Sequence, residues 1–494
     1  MNGPALRILH VASEVAPFSK SGGLADVCAS LPEALALHGH ENVVISPHYG
    51  SLRGLAPHPT TLRATLVLNH RAFEIEYVEQ RDTVRNLRLV FVRCDEIYSR
   101  SGYYYDPLTN RDYDDNDVRF AVLACAALHW CRLTDWQPHI VHGHDWQTGT
   151  LPLFMRSPRF ESYFDSSRFV LTIHNMAFQG RFHPGSRVWV DHAEDRAGPG
   201  GAAEFLGTFS YLKLAIDLAD AINTVSPTYA HELRTVEHMG FGLGALLHSR
   251  HMHFSGILNG IDTHVWNPET DELLAARYTS TTLAQRNRNK RALCERFSLP
   301  YEQTMPLVGM VSRISDQKGF GIVLPVIGEL ISGPAQIVIL GNGDPEFERQ
   351  LRAAEYAYPH RVKLITSYDE PLAHLIYGGC DIFLMPSLFE PCGLSQMMAL
   401  RYGAPVVARE TGGLADTISD VARDPVQGTG FLFHEFEPRA LAYALKRSFQ
   451  TFRNLDKWRG LQRHGMKQDF SWRRSARVYE EMYRRALHNP RFAG

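Results

Sequence analysis

The sequence predicts an α/β protein of two Rossmann-like, doubly wound parallel-sheet domains facing across a cleft. Three features of the chain point there. Continuous apolar runs of strand length alternate with amphipathic runs of helix length through most of the 494 residues, the pattern of buried parallel strands joined by helices. A polar, basic stretch follows Asn267-Pro268 and ends at a fresh apolar run beginning at Leu307, which divides the chain in two. The string Gly-Gly-Leu-Ala-Asp occurs at 22–26 and again at 412–416, once in each half, each time after a strand-like run and at the start of a helix-like one.

In the first half the expected strands are 7–12, 42–46, 88–93, 140–142, 169–173, 221–225 and 256–258, with helices over 27–37, 118–132 and 205–218. In the second half they are 307–311, 336–340, 362–365, 382–385, 405–408 and 430–433. These give an N-terminal domain over 1–265, a linker region over 266–305 with a basic surface helix inside 278–296, and a C-terminal domain over 306–469. The tail, 470–494, carries Phe470, Trp472, Tyr479 and Tyr483, enough apolar area to dock as a helix.

Composition narrows the function. Hydrophobic residues make up 44%, and 51 basic against 53 acidic residues leave a net charge of −2. That balance predicts neither a nucleic-acid nor a membrane-surface partner. No apolar stretch approaches the roughly 20 residues that span a bilayer, and the first residues lack a charged head before an apolar core. The seven cysteines are odd in number, scattered and without a Cys-x-x-Cys pair, which predicts neither a disulfide framework nor a zinc site and places the chain in the cytoplasm.

Paired glycines at a strand-to-helix turn let backbone come close to a ligand, and the amides of the helix behind them attract an anion. Either copy alone reads as a tight turn; two copies on two α/β units predict one anionic ligand held between domains. The segment from Pro386 through Glu390, Cys392, Gly393, Leu394 and Ser395 follows a strand and enters a helix. Glu390 then lies at a strand's C-terminal edge, where open α/β sheets bind ligands, with the amides of residues 393–395 aimed at the same place. A carboxylate there accepts hydrogen bonds from sugar hydroxyls and offsets positive charge on a sugar carbon. Arg313 and Lys318 span another strand-to-helix turn, a fork of donors and a compact charge that suit a diphosphate.

In the first half, polar residues gather at strand ends: Lys20 before the first glycine pair, His142 to Gln147, His174-Asn175, and Asn259 to Asp262. His142, His144 and Asp145 are neighbours in an apparent loop without a familiar ligand spacing, so no metal is expected. Neither a Gly-x-Ser-x-Gly elbow nor a Walker-type phosphate loop occurs. Gly341-Asn-Gly343-Asp344 lacks the third glycine of a dinucleotide fingerprint.

With these residues in view the chain resembles bacterial glycogen synthases and plant starch synthases, of the two-Rossmann-domain glycosyltransferase architecture called GT-B. The resemblance runs from Ile8 to about Tyr483. It rests on Lys20-Ser-Gly-Gly-Leu, His144-Asp-Trp, Thr172-Ile-His-Asn, Thr224-Val-Ser-Pro-Thr-Tyr, Gly256-Ile-Leu-Asn-Gly-Ile-Asp, Ser312-Arg through Gln317-Lys-Gly, Pro386-Ser through Phe389-Glu-Pro-Cys-Gly-Leu and Thr411-Gly-Gly-Leu-Ala-Asp-Thr, in that order. It implies a retaining transfer of glucose from ADP-glucose to the non-reducing end of an α-1,4-glucan, glycogen or a maltooligosaccharide, with release of ADP and with no metal or other cofactor.

By that resemblance Arg313 and Lys318 clamp the diphosphate, and Lys20, Gly22 and Gly23 meet it from the N-terminal, acceptor-side domain. Glu390 holds the glucosyl ring and steadies its cationic transition state; His174 contacts the same sugar. Asp145 and Asn259 help position donor or acceptor. Cys392, Gly393, Leu394, Ser395, Thr411, Gly412 and Gly413 complete the donor cradle, and Tyr368 lies against the adenine. Asp26, Trp146 and Asn175 fall on the acceptor side. The tail helix crosses back to the N-terminal domain.

The chain departs from the family pattern at several places. A second Glu, eight positions after the first in many GT-B families, is Met398 here. Gln147 stands where Asp-Trp-His is usual, Phe241-Gly-Leu-Gly244 replaces Tyr-Gly-Leu-Asp, and the stretch 103–110 is longer. A catalytically silent glucan-binding homologue, or a GT-B enzyme using UDP-glucose or another acceptor, are the alternatives.

Overall fold

A computed structural model describes residues 3–52, 62–82, 87–109, 111–191, 200–333, 335–367 and 369–488. The chain forms two compact units. The first holds the residues up to Val225, Ala230–Ile257 and the chain from Trp472 onward; the second holds Ser226–Tyr229 and Leu258–Ser471.

The first unit is built on a nine-stranded sheet. Its strands are β1 (Arg7–Val11), β2 (Glu41–Pro47), β3 (Leu62–Leu68), β4 (Arg71–Asp82), β5 (Leu87–Arg93), β6 (Ile140–His144), β7 (Arg168–Ile173), β8 (Ala221–Thr224) and β9 (Phe254–Gly256). The order is β9-β8-β7-β6-β1-β2-β5-β4-β3. Seven strands from β9 to β5 run parallel, and β4 and β3 add an antiparallel edge. The chain reverses its direction of travel across the sheet between β1 and β6, so the loops after these two strands open a crevice at their C-terminal ends.

Two expectations are corrected in this unit. The span 205–218 is not one helix: Leu206 and Gly207, both at positive φ, turn a hairpin between Glu204–Phe205 and Thr208–Ser210 before the helix Tyr211–Leu218. Two central residues at positive φ make the two-residue hairpin turn that matches strand twist. His142 and His144 are not in a loop; they belong to β6, on one face of the sheet.

The final helix, Trp472–His488, covers that face. Trp472, Ala476, Tyr479, Met482, Tyr483 and Ala486 are buried in a cluster with Ile8, Ile140 and Val170. The spacing places them on one stripe of the helix.

The second unit carries a six-stranded parallel sheet of β10 (Leu307–Val311), β11 (Gln336–Leu340), β12 (Val362–Ile365), β13 (Ile382–Met385), β14 (Val406–Arg409) and β15 (Gly430–Phe433). Its order, β12-β11-β10-β13-β14-β15, is that of a dinucleotide-binding sheet, with the switch point between β10 and β13. The expected linker, 266–305, is part of this unit. Leu274, Tyr278, Leu283 and Leu293 lie in its core. The basic helix Arg286–Arg296 exposes Arg288, Arg291, Glu295 and Arg296 but turns its other face inward: Arg286 donates to the carbonyls of Tyr377 (3.0 Å) and Cys380 (2.7 Å), and Lys290 pairs with Asp381 at 2.8 Å. No described helix is long and apolar enough to cross a membrane.

Candidate active site

In the second unit the loops leaving β10 and β13 meet at the switch point. Leu388 N donates to the Gln317 carbonyl at 2.8 Å, and Gln317 Nε2 donates to the Phe389 carbonyl at 3.4 Å. Gly319 sits at φ +82°, and a Cβ there would lie 2.1 Å from the Pro386 carbonyl oxygen. Only glycine fits this approach. The two stapled loops bring Lys318 Nζ to 2.6 Å from Glu390 Oε2, and Ser387 Oγ donates to the same oxygen at 3.0 Å. The side chains are 17% and 6% exposed, so the pair is largely out of water.

The second glycine pair packs against the backbone of Glu390. Gly413 N donates to the Glu390 carbonyl at 3.0 Å, and a Cβ on Gly412, at φ +45°, would lie 2.0 Å from that oxygen. The Gly413 N–H is therefore taken. The helix they begin, Gly412–Thr417, is only six residues long, too short for a strong macrodipole. Thr411 is buried beside them. Asp416 accepts from Thr228 Oγ1 at 2.6 Å and from Thr228 N at 3.1 Å, which ties 226–229 into this unit.

Around Glu390 the other expected residues fall as follows. Arg313 is exposed and its guanidinium pairs with no described residue. The amides of Gly393, Leu394 and Ser395 donate to no described backbone carbonyl, and Ser395 Oγ donates to Val311 O at 3.4 Å. Burial pushes the Cys392 thiol up to about 12, so it stays protonated and is no nucleophile. Asn259 is buried, with Oδ1 unpartnered and its backbone amide on the Cys392 thiol. Met398 packs against the core. Tyr368 lies outside the described residues.

In the first unit the loops after β1, β6 and β7 carry the polar groups. Lys20 is not a free cation: its Nζ pairs with Asp26 Oδ1 at 2.7 Å on the surface. Gly22 is the N-cap of helix Gly23–Leu37, exposed together with Gly23. The loop is held by a residue the sequence did not single out. Glu14 is buried and accepts from Ser21 N, from Ser21 Oγ at 2.6 Å and from Tyr104 OH. Its only sequence signal is a carboxylate directly after an apolar run.

Asp145 is buried at φ +59°, and its Oδ1 accepts from His174 N at 2.6 Å. Burial raises its carboxyl to about 7 against the opposing pull of the His174 and Asn175 amides. Asn175 Oδ1 accepts from Ala177 N at 3.1 Å. Trp146 is buried, and its ring meets Phe120 and Phe182 edge-on at 5.0 and 5.6 Å. His174 Nε2 lies 3.1 Å from His144 Nδ1, and burial lowers its imidazole to about 3.

Ring nitrogens of His10, His142 and His144 lie within 4.8 Å of one another, close enough to raise the question of a metal. His142 faces Thr172 Oγ1 at 2.6 Å and Tyr483 OH at 2.8 Å, and His144 faces a histidine nitrogen on each side. These ring nitrogens are engaged in hydrogen bonds with one another and with their neighbours.

Two family models match the chain. The Starch synthase catalytic domain family matches residues 7–249, and Glycosyl transferases group 1 matches residues 294–452. A glycogen synthase of Anaeromyxobacter sp. is 42% identical over 489 residues, covering 97% of this chain and 99% of its own. A glycogen synthase of Geobacillus stearothermophilus is 38% identical over 486 residues, 98% of each chain. Among solved structures, the catalytic domain of starch synthase IV from Arabidopsis thaliana, bound to ADP and acarbose, superposes with a TM-score of 0.90 at 33% identity, covering 98% of this chain and 100% of that one. Sucrose-phosphate synthase from Thermosynechococcus elongatus, at 16% identity and a TM-score of 0.59, shares the fold.

The fold and these matches together define a glycosyltransferase of the GT-B class. Within that class, the chain belongs to the glycogen synthase and starch synthase family. Its activity is that of a glycogen/starch-type glucosyltransferase, and glycogen synthesis is its function.

Proposed function

We propose that the donor is ADP-glucose, that its diphosphate is gripped by Arg313 and Lys318, and that Glu390 steadies the glucosyl group as it departs. The observation that carries this reading is the buried Lys318–Glu390 pair at 2.6 Å on the switch point of the second unit. An ammonium and a carboxylate set side by side can serve opposite charges of one transition state, the anionic leaving phosphate and the cationic sugar carbon. The free guanidinium of Arg313 and the open amides of residues 393–395 add donors for phosphate oxygens. The catalytic domain of starch synthase IV is seen bound to ADP and acarbose.

In this reading the C1–O bond to the diphosphate breaks and the acceptor O4 bonds to C1 on the same face, which retains the configuration. The proton of that hydroxyl passes to the departing phosphate oxygen, and ADP leaves. On the first unit, His174, Asp145 and Asn175 meet the sugars. Seven buried free cysteines suit a reducing compartment, and we place the enzyme in the cytoplasm.

The test is a donor panel. Wild-type protein is given ADP-glucose or UDP-glucose with glycogen or short maltooligosaccharides, and glucose incorporation is measured. Preferred turnover of ADP-glucose is expected. Preference for UDP-glucose would replace the donor assignment, and glycogen binding without turnover of either donor would identify a silent homologue.

A further inference from the structure

We infer that His10, His144 and His174 form a directional hydrogen-bonded chain, anchored at Asn42, that fixes the tautomer of His174 and leaves its Nδ1 as an acceptor for a sugar hydroxyl. This deepens, and rests on, the proposal that His174 meets a sugar.

The chain is built by sheet register. His10 on β1 pairs with His142 on β6, His144 pairs with Thr172 on β7, and Ile8 pairs with Asn42 on β2. Register partners point to the same face, as do residues two apart on one strand. His10, Asn42 and His144 therefore share one buried face, and His174 continues from the end of β7. The contacts run Asn42 Oδ1 to His10 Nε2 at 3.3 Å, His10 Nδ1 to His144 Nε2 at 3.4 Å, and His144 Nδ1 to His174 Nε2 at 3.1 Å.

Direction follows from the anchor. Asn42 Nδ2 donates to the His40 carbonyl at 3.2 Å, which leaves Oδ1, an obligate acceptor, facing His10. His10 Nε2 must then carry the hydrogen. A neutral imidazole has one donor and one acceptor nitrogen, so His10 Nδ1 accepts from His144 Nε2. By the same rule His144 Nδ1 accepts from His174 Nε2. His174 is left with a bare Nδ1 that no described residue uses.

Neutrality is secured by burial, which lowers His10 to about 4, His174 to about 3 and His144 well below the ordinary range. The neighbouring His142 does not compete. It donates to Thr172, whose hydroxyl donates on to Asn223 at 2.7 Å, and it accepts from Tyr483. His10, His144 and Asn42 touch no substrate in this account; they are positioning residues. His174 would accept from a sugar hydroxyl and could not donate to a sugar oxygen through Nδ1.

The experiment is long-range proton–nitrogen NMR on the full-length protein with 15N-labelled histidine at pH 7.5, the His174 signals assigned by their loss in His174→Ala. An unprotonated Nδ1 and a protonated Nε2 are expected in wild type. A protonated or tautomerically averaged Nδ1 overturns the proposal. Asn42→Leu removes the anchor. Its His174 Nδ1 signal should move toward the protonated position, and kcat/KM for glucosyl transfer should fall about tenfold, the scale of one lost hydrogen bond. An unmoved signal, or a moved signal with unchanged kcat/KM, counts against the proposal. Wild-type turnover with ADP-glucose on the same sample keeps the two readings apart. Absent turnover with a bare Nδ1 would defeat the functional proposal and spare the chain, whereas turnover with a protonated Nδ1 would defeat the chain alone.

Discussion

Asp145 shows how a single residue can be set by burial rather than by a partner charge. Its carboxyl, raised to about 7, is protonated in the folded protein over a range where the unfolded chain has already ionised. The folded state binds more protons between about pH 4 and pH 7, so stability from this group is complete below that window and is lost as pH rises through it, at about 1.4 kcal/mol per pH unit. Asp145→Asn removes the titration. Denaturation midpoints at pH 4.5 and 7.5 should show the variant gaining on wild type as pH rises; a pH-independent difference would contradict the assignment. At this scale the sequence is legible where a polar residue ends a strand. Glu390, Lys318, Asp145 and His174 all stood out that way. Glu14, His10 and Asn42 did not, because each is a lone polar residue in or beside an apolar run. The partners of His10 and Glu14 lie as far as 134 and 90 residues away along the chain.

The tail helix Trp472–His488 joins element to chemistry in the first unit. Tyr479 and Tyr483 are fully buried on the sheet, and their hydroxyls meet Asn223 at 3.0 Å and His142 at 2.8 Å. Tyr483→Phe removes one hydrogen bond and should cost about 1 kcal/mol. Tyr483→Ala adds a cavity and should cost about 3–5 kcal/mol by denaturant unfolding. Equal losses would mean that the ring packs without consequence. In the second unit Gly319→Ala should separate the stapled loops and depress turnover on the order of a hundredfold, with KM and kcat both measured. Strands in the parallel cores were readable as continuous apolar runs. The edge strands β3 and β4 were missed because β3 alternates buried and exposed positions and neither is buried on both faces. The hairpin at Leu206-Gly207 was hidden inside a pattern of helical period.

Across the whole chain, each unit has its own sheet and core. The basic stretch before Leu307 misled because arginine and lysine usually mark a surface. Arg286 and Lys290 instead turn inward, onto carbonyls and onto Asp381. If the donor sits on the second unit, ADP at a hundredfold its Kd should stabilise the protein by about 2.7 kcal/mol, read as a rise in melting temperature, and Lys318→Ala should remove most of that rise. An undiminished rise would place the diphosphate elsewhere. The most direct measurement is the rate of glucose transfer from ADP-glucose to glycogen by folded Glu390→Gln, whose side chain keeps its shape and loses its charge. A fall in kcat on the order of a thousandfold, with the ADP-induced rise in melting temperature retained, is expected; turnover within tenfold of wild type would contradict the role given to Glu390.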